Sequence, residues 1–213
     1  MTQVSQVNQV KVTAVIPVKA LTDAKSRLGK VLGPARRQEL VLDMLKHVLR
    51  AVLGSRVQRI LVVTRDPTVG AVVAAEGGDW IPDPADTLNA SLGEVFRRCW
   101  ERRETPLYLP ADLPGLGVSD VHSLLDAGAG EKAVVLSPSR NEEGTNALFV
   151  PPANRMEPLL GARSFPRHLA QAKRLGIATL VHRSAGLGLD IDTPEDLLLM
   201  SGHTARNPEV HAR

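Results

Sequence analysis

The sequence predicts a single three-layer α/β/α domain with a mostly parallel central sheet. Short apolar runs rich in β-branched residues alternate with amphipathic stretches of helical length, as in consecutive βαβ units. The first run, VTAVIPV (12–18), is apolar throughout, which is typical of a strand covered on both faces. No internal repeat or linker-like stretch divides the 213 residues. We therefore expect one domain over 12–201, with poorly ordered ends at 1–11 and 202–213.

The first half of the chain contains three predicted strands and two predicted helices. After strand 12–18 and a loop, 34–54 forms a long amphipathic helix, opened by a proline and ended by a glycine. The run RILVVTR (59–65) is a second buried strand, followed by a helix over 67–77. The segment DWIPD (79–83) is a short strand.

The second half continues the alternation. A polar, glycine-containing turn, RNEEG, joins two strands in a hairpin-like pair. In the last helix we expect Thr193 to be the N-cap, because Asp196 three residues later completes a capping box. The remaining predicted helices cover 87–103, 118–128 and 164–176, and the predicted strands cover 105–112, 133–139, 145–152 and 177–183.

Composition excludes several classes of function. Hydrophobic residues make up 43% and charged residues 23%, as in soluble globular proteins. Only 3% is aromatic and the net charge of +3 is spread along the chain, so we expect no nucleic-acid partner. The mild basic bias fits either a pocket for anionic small molecules or solvated helix faces.

Cysteine content and hydropathy indicate where the protein works. A single cysteine, Cys99, excludes an internal disulfide and is expected to pack in a helix. No apolar run has the length of a membrane helix, and the start of the chain lacks the pattern of a signal peptide. We therefore predict a cytoplasmic protein without a membrane partner, either a monomer or a homodimer.

Basic side chains follow the first strand. In open α/β sheets, ligands bind at the carboxyl ends of the strands. The loop KALTDAKSRLG places Lys19, Lys25 and Arg27 in that position, where they could neutralise a polyphosphate. The loop matches neither GxxxxGK nor GxGxxG, and a solvated basic loop explains it equally well.

Three aspartates are expected at the same edge. Asp190 and Asp192 stand two residues apart, so in extended chain they project to the same side. Asp112 ends the predicted strand 105–112 between two prolines. Three carboxylates suit Mg²⁺, which prefers oxygen ligands shared with substrate phosphates. Helix capping would account well for Asp192 but poorly for Asp190, and an N-cap or turn role is the alternative for Asp112.

Two further segments form a candidate anion cradle. Gly161 permits close backbone approach, and Thr145 and Ser164 offer hydroxyls. Ser164 stands at a helix start, so it could instead be the N-cap, or do both. His168 lies one turn further on and by default is a hydrogen-bonded histidine of the core or surface. Asn89, at another helix start, could bind a base or ribose or be an ordinary helix-start residue.

Six segments together resemble the 2-phospholactate/phosphoenolpyruvate guanylyltransferases of coenzyme F-420 biosynthesis. They are VIPVK with AKSRLG, TLNASL, LYLPADLPGL, EEGTNALF, GARSFPRHLAQA and GLGLDIDTPEDL. ADLP and DIDTPEDL recur in other nucleotidyltransferases, whereas GTNAL with a downstream SFxxH is narrower. The resemblance implies a Rossmann-like fold of the nucleotide-diphospho-sugar-transferase type, with GTP and Mg²⁺. It also implies transfer of GMP to a small phosphorylated carboxylic acid, with release of pyrophosphate.

The resemblance also implies roles for particular residues. By position, the metal ligands would be Asp112, Asp190 and Asp192, and the first-loop cations would meet the triphosphate. We therefore predict as catalytic Lys19, Lys25, Arg27 and Asp112, and as substrate-binding Thr145, Asn146, Gly161, Ser164, His168 and Asn89. The first loop lacks the glycine-rich form common in sugar and molybdopterin nucleotidyltransferases, so their loop contacts are not transferred.

Two alternatives stay open. A nucleotidyltransferase of the same fold could use another acceptor, such as molybdopterin or a sugar phosphate. A non-catalytic nucleotide-binding module would bind GTP whether or not Asp112 is intact. The sequence does not choose between phosphoenolpyruvate and 2-phospholactate as acceptor, and it selects GTP only through the resemblance.

Overall fold

The computed structural model describes residues 11–130 and 132–204. Seven strands of this part form one sheet: β1 (Val12–Pro17), β2 (Arg59–Val63), β3 (Asp79–Ile81), β4 (Thr105–Tyr108), β5 (Val134–Pro138), β6 (Thr145–Phe149) and β7 (Thr179–Val181). Their order across the sheet is β3-β2-β1-β4-β6-β5-β7. β6 pairs antiparallel with β4 and β5, and the other neighbours are parallel.

Helices cover both faces of this sheet. They are α1 (Pro34–Leu53), α2 (Pro67–Ala75), α3 (Leu88–Glu101), α4 (Val118–Ala127), α5 (Ser164–Leu175), α6 (Ala185–Gly188) and α7 (Pro194–Thr204). Alternate residues of β1 enter different cores: Ala14 and Ile16 pack with α1, α2 and α4, whereas Val15 packs with α3 and α5. The predicted three-layer architecture is confirmed.

Several predicted element ends were wrong. β4 stops at Tyr108, although the Leu109 amide still donates to the Val15 carbonyl at 3.2 Å. Pro110 follows and has no amide hydrogen, so the ladder cannot continue. Asp112 therefore lies in the loop after the strand. β7 spans three residues, fewer than the predicted 177–183.

The predictions for the cap of the last helix and for the two ends of the chain have different outcomes. The capping box of the last helix is confirmed, because the Thr193 amide donates to Asp196 Oδ2 at 2.8 Å. The prediction of poorly ordered ends falls mainly on 1–10 and 205–213, which lie outside the described residues. Within the described chain, every helix is too short or too polar to cross a bilayer.

The topology brings distant segments to one edge of the sheet. The parallel strands β1 and β4 end there, and their following loops carry Lys25 and Asp112. Because β6 runs the opposite way, its first residue, Thr145, lies at that same edge, paired with Pro138 at the end of β5. The Ile191 amide donates to the Asp112 carbonyl at 3.2 Å, which joins the DID segment to the loop after β4.

Candidate active site

A cavity of about 1160 Å³ opens at this edge of the sheet. All but two of the predicted site residues line it: Lys19, Lys25, Arg27, Asp112, Thr145, Asn146, Gly161, Ser164, Asp190 and Asp192. The other two, Asn89 and His168, lie behind its wall. A volume of this size accommodates a nucleotide together with a small second substrate.

Lys25 lies between two of the predicted metal ligands. Its ammonium donates to Asp192 Oδ1 at 2.8 Å and to Asp112 Oδ2. Its side chain is only 10% exposed, and its backbone is left-handed, with φ 48°. Arg37 Nη1 donates to the Ala24 carbonyl at 3.2 Å, which supports this turn. Lys19 and Arg27 are exposed on the same loop, so their side chains are free to move toward a ligand.

The three aspartates line the same cavity, but their carboxylates do not converge into a preformed metal-binding site. Asp190 Oδ1 accepts a hydrogen bond from Asn146 Nδ2 at 3.1 Å, and Asp192 is paired with Lys25. Across residues 11–130 and 132–204, no three acidic, histidine or cysteine side chains converge as metal ligands. Asp112 Oδ1, however, is buried without a hydrogen-bond partner. A buried carboxylate oxygen of this kind is suited to a cation.

Electrostatics favour additional positive charge here. Burial raises the pKa of Asp112, and the neighbouring Asp190 and Asp192 carboxylates raise it further, against the opposing effect of Lys25. Burial alone would lower the pKa of Lys25, but Asp112 and Asp192 outweigh it, so that pKa is raised. The Asp112 and Asp192 carboxylates thus share one ammonium, and Asp190 adds negative charge near Asp112. The donor set and its charge therefore fit a divalent cation.

The predicted anion cradle forms where α5 begins. Gly161 has φ +108° and Arg163 has φ 53°, so the chain turns sharply before the helix. Arg163 occupies the N-cap position and Ser164 is the first helical residue, which corrects the prediction of Ser164 as N-cap. The Ser164 and Thr145 side chains are both nearly buried, at the wall of the cavity. The two hydroxyls are groups that bind anions, whereas the Ser164 and Phe165 amides at the helix start already donate to the Gly161 and Glu143 carbonyls at 3.2 Å.

His168 supports this cradle from behind. Its ring is fully buried, with Nδ1 3.0 Å from Thr145 Oγ1. Its Nε2 accepts a hydrogen bond from the Leu159 amide at 2.8 Å. Both ring nitrogens thus have partners within the protein. This geometry favours a supporting role over the direct substrate contact that we predicted.

Asn89, like His168, is hydrogen-bonded to the protein backbone behind the cradle. Its side chain accepts from the Leu160 amide at 2.7 Å and donates to the Leu160 carbonyl at 3.1 Å. This pair of bonds fixes the chain immediately before Gly161. These bonds favour an indirect role in shaping the cradle, and the contact to a base or ribose stays a prediction.

Sequence reasoning missed several residues that line the cavity. Arg140 and Arg163 are exposed cations beside it, and Glu143 forms a 3.7 Å ion pair with Arg163. Both arginines lie within segments that the sequence analysis had named, RNEEG and GARSFPRHLAQA, so their positions in those segments were the available signal. Tyr108, the buried last residue of β4, also lines the cavity and was missed because nothing in the sequence distinguishes it from an ordinary strand residue.

Comparison of the fold with solved structures agrees with this architecture. A nucleotide-diphospho-sugar-transferase-like structure from Desulfovibrio desulfuricans superposes with a TM-score of 0.81 at 13% identity, covering 95% of this chain and 91% of the other. A nucleotidyl transferase from Methanothermobacter superposes with a TM-score of 0.61 at 16% identity, covering 92% and 98%. At these identities the likeness concerns the fold alone.

Comparison of sequences is more specific. A phosphoenolpyruvate guanylyltransferase from Sphaerobacter thermophilus is 40% identical over 195 residues, covering 89% of this chain and 92% of the relative. A 2-phospho-L-lactate guanylyltransferase from Methanothermobacter thermautotrophicus is 35% identical over 188 residues, covering 88% and 82%. The model of the family described as "Guanylyl transferase CofC like" matches residues 12–209. The chain therefore belongs to the CofC-like guanylyl transferase family.

Proposed function

We propose that this protein transfers GMP from GTP to phosphoenolpyruvate, or to 2-phospho-L-lactate, and releases pyrophosphate, as a step of coenzyme F-420 biosynthesis. One observation supports this most directly: a single cavity joins an acidic cation site to a hydroxyl-bearing anion cradle. The names of its relatives, at 40% and 35% identity, supply the substrates. We favour phosphoenolpyruvate as acceptor, since the more similar of these two relatives is named for it.

The acceptor acid would lie against the cradle. Its phosphate and carboxylate are anions that can accept hydrogen bonds from Thr145, Ser164 and the backbone near Gly161. Fixing both anionic groups orients one phosphate oxygen toward the nucleotide. Such alignment is a large part of what an enzyme contributes to joining two substrates.

The nucleotide would lie beside the first loop. Lys19 and Arg27 are exposed at the cavity, and Lys25 lies at its acidic end, so the three cations can meet a triphosphate. Positive charge there stabilises the charge that develops as pyrophosphate leaves. A phosphate monoester is already largely ionised at neutral pH, so its oxygen can attack the α-phosphorus without a protein base.

Mg²⁺ is part of this proposal. Asp112, with its unpartnered Oδ1, and the nearby Asp190 and Asp192 would hold the ion. When bound, the ion supplies charge neutralisation for the phosphates. Lys25 occupies the acidic site in this conformation, so its ammonium would be released to contact a phosphate.

The test is pyrophosphate release from GTP with each acid, in the presence of Mg²⁺ or of a chelator. We expect turnover with phosphoenolpyruvate, less with ATP in place of GTP, and none with the chelator. Turnover with molybdopterin or a sugar phosphate, but with neither acid, would contradict the proposal. Undiminished turnover in the chelator would contradict the metal requirement alone.

A further inference from the structure

We propose that His168 is a positioning residue that makes the Thr145 hydroxyl a hydrogen-bond donor toward an ionised oxygen of the acceptor acid. This inference rests on the proposed function and adds the feature that would select an anionic oxygen. His168 itself lies behind the cavity wall, so it would act only through Thr145.

The tautomer of His168 follows from one backbone contact. The Leu159 amide can only donate, and it lies 2.8 Å from His168 Nε2. Nε2 must therefore be the unprotonated nitrogen. In a neutral imidazole the proton then lies on Nδ1, which is 3.0 Å from Thr145 Oγ1. Burial and the nearby Arg167 lower the pKa of His168 to about 4, against the smaller opposing effect of a hydrogen bond to the Ser164 backbone, so the ring is neutral at physiological pH.

This tautomer determines what the Thr145 hydroxyl can do. A protonated Nδ1 cannot accept the threonine proton, so toward His168 the Oγ1 atom can only accept, and its own hydrogen must find another acceptor. Thr145 is nearly buried and lines the cavity beside Ser164. The free hydrogen is therefore available to a ligand oxygen there.

A Thr145 hydroxyl that can only donate into the cavity affects which ligand oxygens it recognises. An ionised phosphate or carboxylate oxygen accepts hydrogen bonds and cannot donate one, so it matches a hydroxyl that is committed to donating. A neutral hydroxyl of a competing ligand could also accept, but more weakly, because hydrogen bonds to charged groups are about twice as strong. His168 thereby favours anionic acceptors without touching them.

Nitrogen-15 NMR of the wild-type protein tests the tautomer directly and needs no activity. We expect a protonated Nδ1 and a bare Nε2 at neutral pH. A protonated Nε2 would overturn the proposal, whether or not the protein transfers GMP. The measurement also keeps the proposal falsifiable if a variant fails to fold.

Variants test the coupling to Thr145. His168→Ala should raise the KM for the acid about ten- to hundredfold, with kcat and the KM for GTP changed less than about twofold. His168→Asn, whose amide can still donate near the Nδ1 position, should recover part of this loss. His182→Asn serves as the matched control, since His182 contacts Ser123 away from the cavity.

A double-mutant cycle completes the test. Thr145→Val keeps the shape of the side chain but removes the hydroxyl. If His168 acts through Thr145, adding His168→Ala to Thr145→Val should cause little further rise in the KM for the acid. Additive effects, or an equal rise in the KM for GTP, would overturn the proposal. If the wild type does not transfer GMP at all, the proposed function fails, and direct binding of the acid then replaces KM as the readout.

Discussion

The Lys25 ammonium lies between the carboxylates of Asp112 and Asp192, and its distance to Asp192 Oδ1 is 2.8 Å. The lysine is an internal counter-ion for an acidic cluster whose third member is Asp190. A left-handed backbone at Lys25, which is uncommon for residues other than glycine, directs it into this position. Such a local conformation is often found at functional sites.

Asp112→Asn should remove most of the activity and leave the fold intact. The substitution keeps the shape of the side chain but removes a negative charge from the proposed cation site. A cation contact contributes several kcal/mol to transition-state stabilisation, so we expect turnover to fall at least about hundredfold. Pyrophosphate release measures the activity, and thermal unfolding measures the fold.

The matched control is Asp126→Asn, because Asp126 is an exposed residue paired with Arg56 on the surface. It should have little effect on either measurement. If Asp112→Asn keeps GTP-dependent turnover, the reaction does not require this carboxylate, and the proposed role of Asp112 is contradicted. Loss of structure in Asp112→Asn would instead show that the Lys25 pair is needed for folding.

Lys25→Met should destabilise the protein and increase its response to Mg²⁺. Without the ammonium, the largely buried Asp112 loses its ion-pair partner, which we expect to cost about 1–3 kcal/mol in the free energy of unfolding. Mg²⁺ can then neutralise the aspartates without displacing a lysine. Thermal unfolding with and without Mg²⁺ should show a larger stabilisation in the variant than in the wild type. Equal stabilisation in both would contradict competition between Lys25 and the ion.

Asn89→Ala should weaken binding of the acid while GTP binding changes little. The change removes both hydrogen bonds to the Leu160 backbone and leaves an amide unpaired, at a cost of about 1–3 kcal/mol. The chain before Gly161 then loses a fixed position. We expect the KM for the acid to rise several-fold.

The isosteric comparison is Asn89→Asp, which keeps the acceptor for the Leu160 amide but replaces the donor with a carboxylate oxygen and adds a negative charge. It should raise the KM for the anionic acid at least as much as Asn89→Ala does. If Asn89→Ala raises the KM for GTP alone, Asn89 contacts the nucleotide, as the sequence first suggested.

The fold was predictable because hydrophobic periodicity is a local property. The alternation of buried runs such as 12–18 and 59–65 with amphipathic helices specifies layers without any knowledge of contacts. The end of β4 was not predicted, because the apolar residues continue past Tyr108 while Pro110 ends the hydrogen-bond ladder. β7 was predicted too long, since a short edge strand and its flanks have similar composition.

The site was predictable as a set of residues but not as a set of partners. Asp112, Asp190 and Thr145 were found because strand ends converge at one edge of the sheet. That Lys25 lies between two aspartates depends on a side-chain contact across 87 residues of sequence, and Asn89 bonds to Leu160 across 71. No local pattern encodes such pairs. His168 was assigned to the substrate because its motif was visible and its two internal partners were not.

Asp66 should make part of the stability depend on pH. Its carboxylate accepts from the Leu21 amide at 2.8 Å and from the Thr68 amide at 2.9 Å, so it joins the first loop to the start of α2. The hydrogen bond from Leu21 is the main reason that the pKa of Asp66 is lowered. A carboxyl group whose pKa is lowered in the folded state stabilises the protein at pH values above the pKa that the group has in the unfolded chain, about 3.9. That stability is lost as the pH falls through the folded-state value.

Asp66→Asn should therefore be less stable than the wild type at neutral pH by about 1–3 kcal/mol, because asparagine can still cap α2 but has an amide donor in place of the oxygen that accepts from the Leu21 amide. The difference should shrink as the pH falls below about 4, because the wild-type carboxyl becomes protonated as well. Urea unfolding at a series of pH values measures it. Asp43→Asn, on the exposed side of α1, should show no such convergence. A difference that stays constant with pH would mean that Asp66 acts through its shape alone and not through its charge.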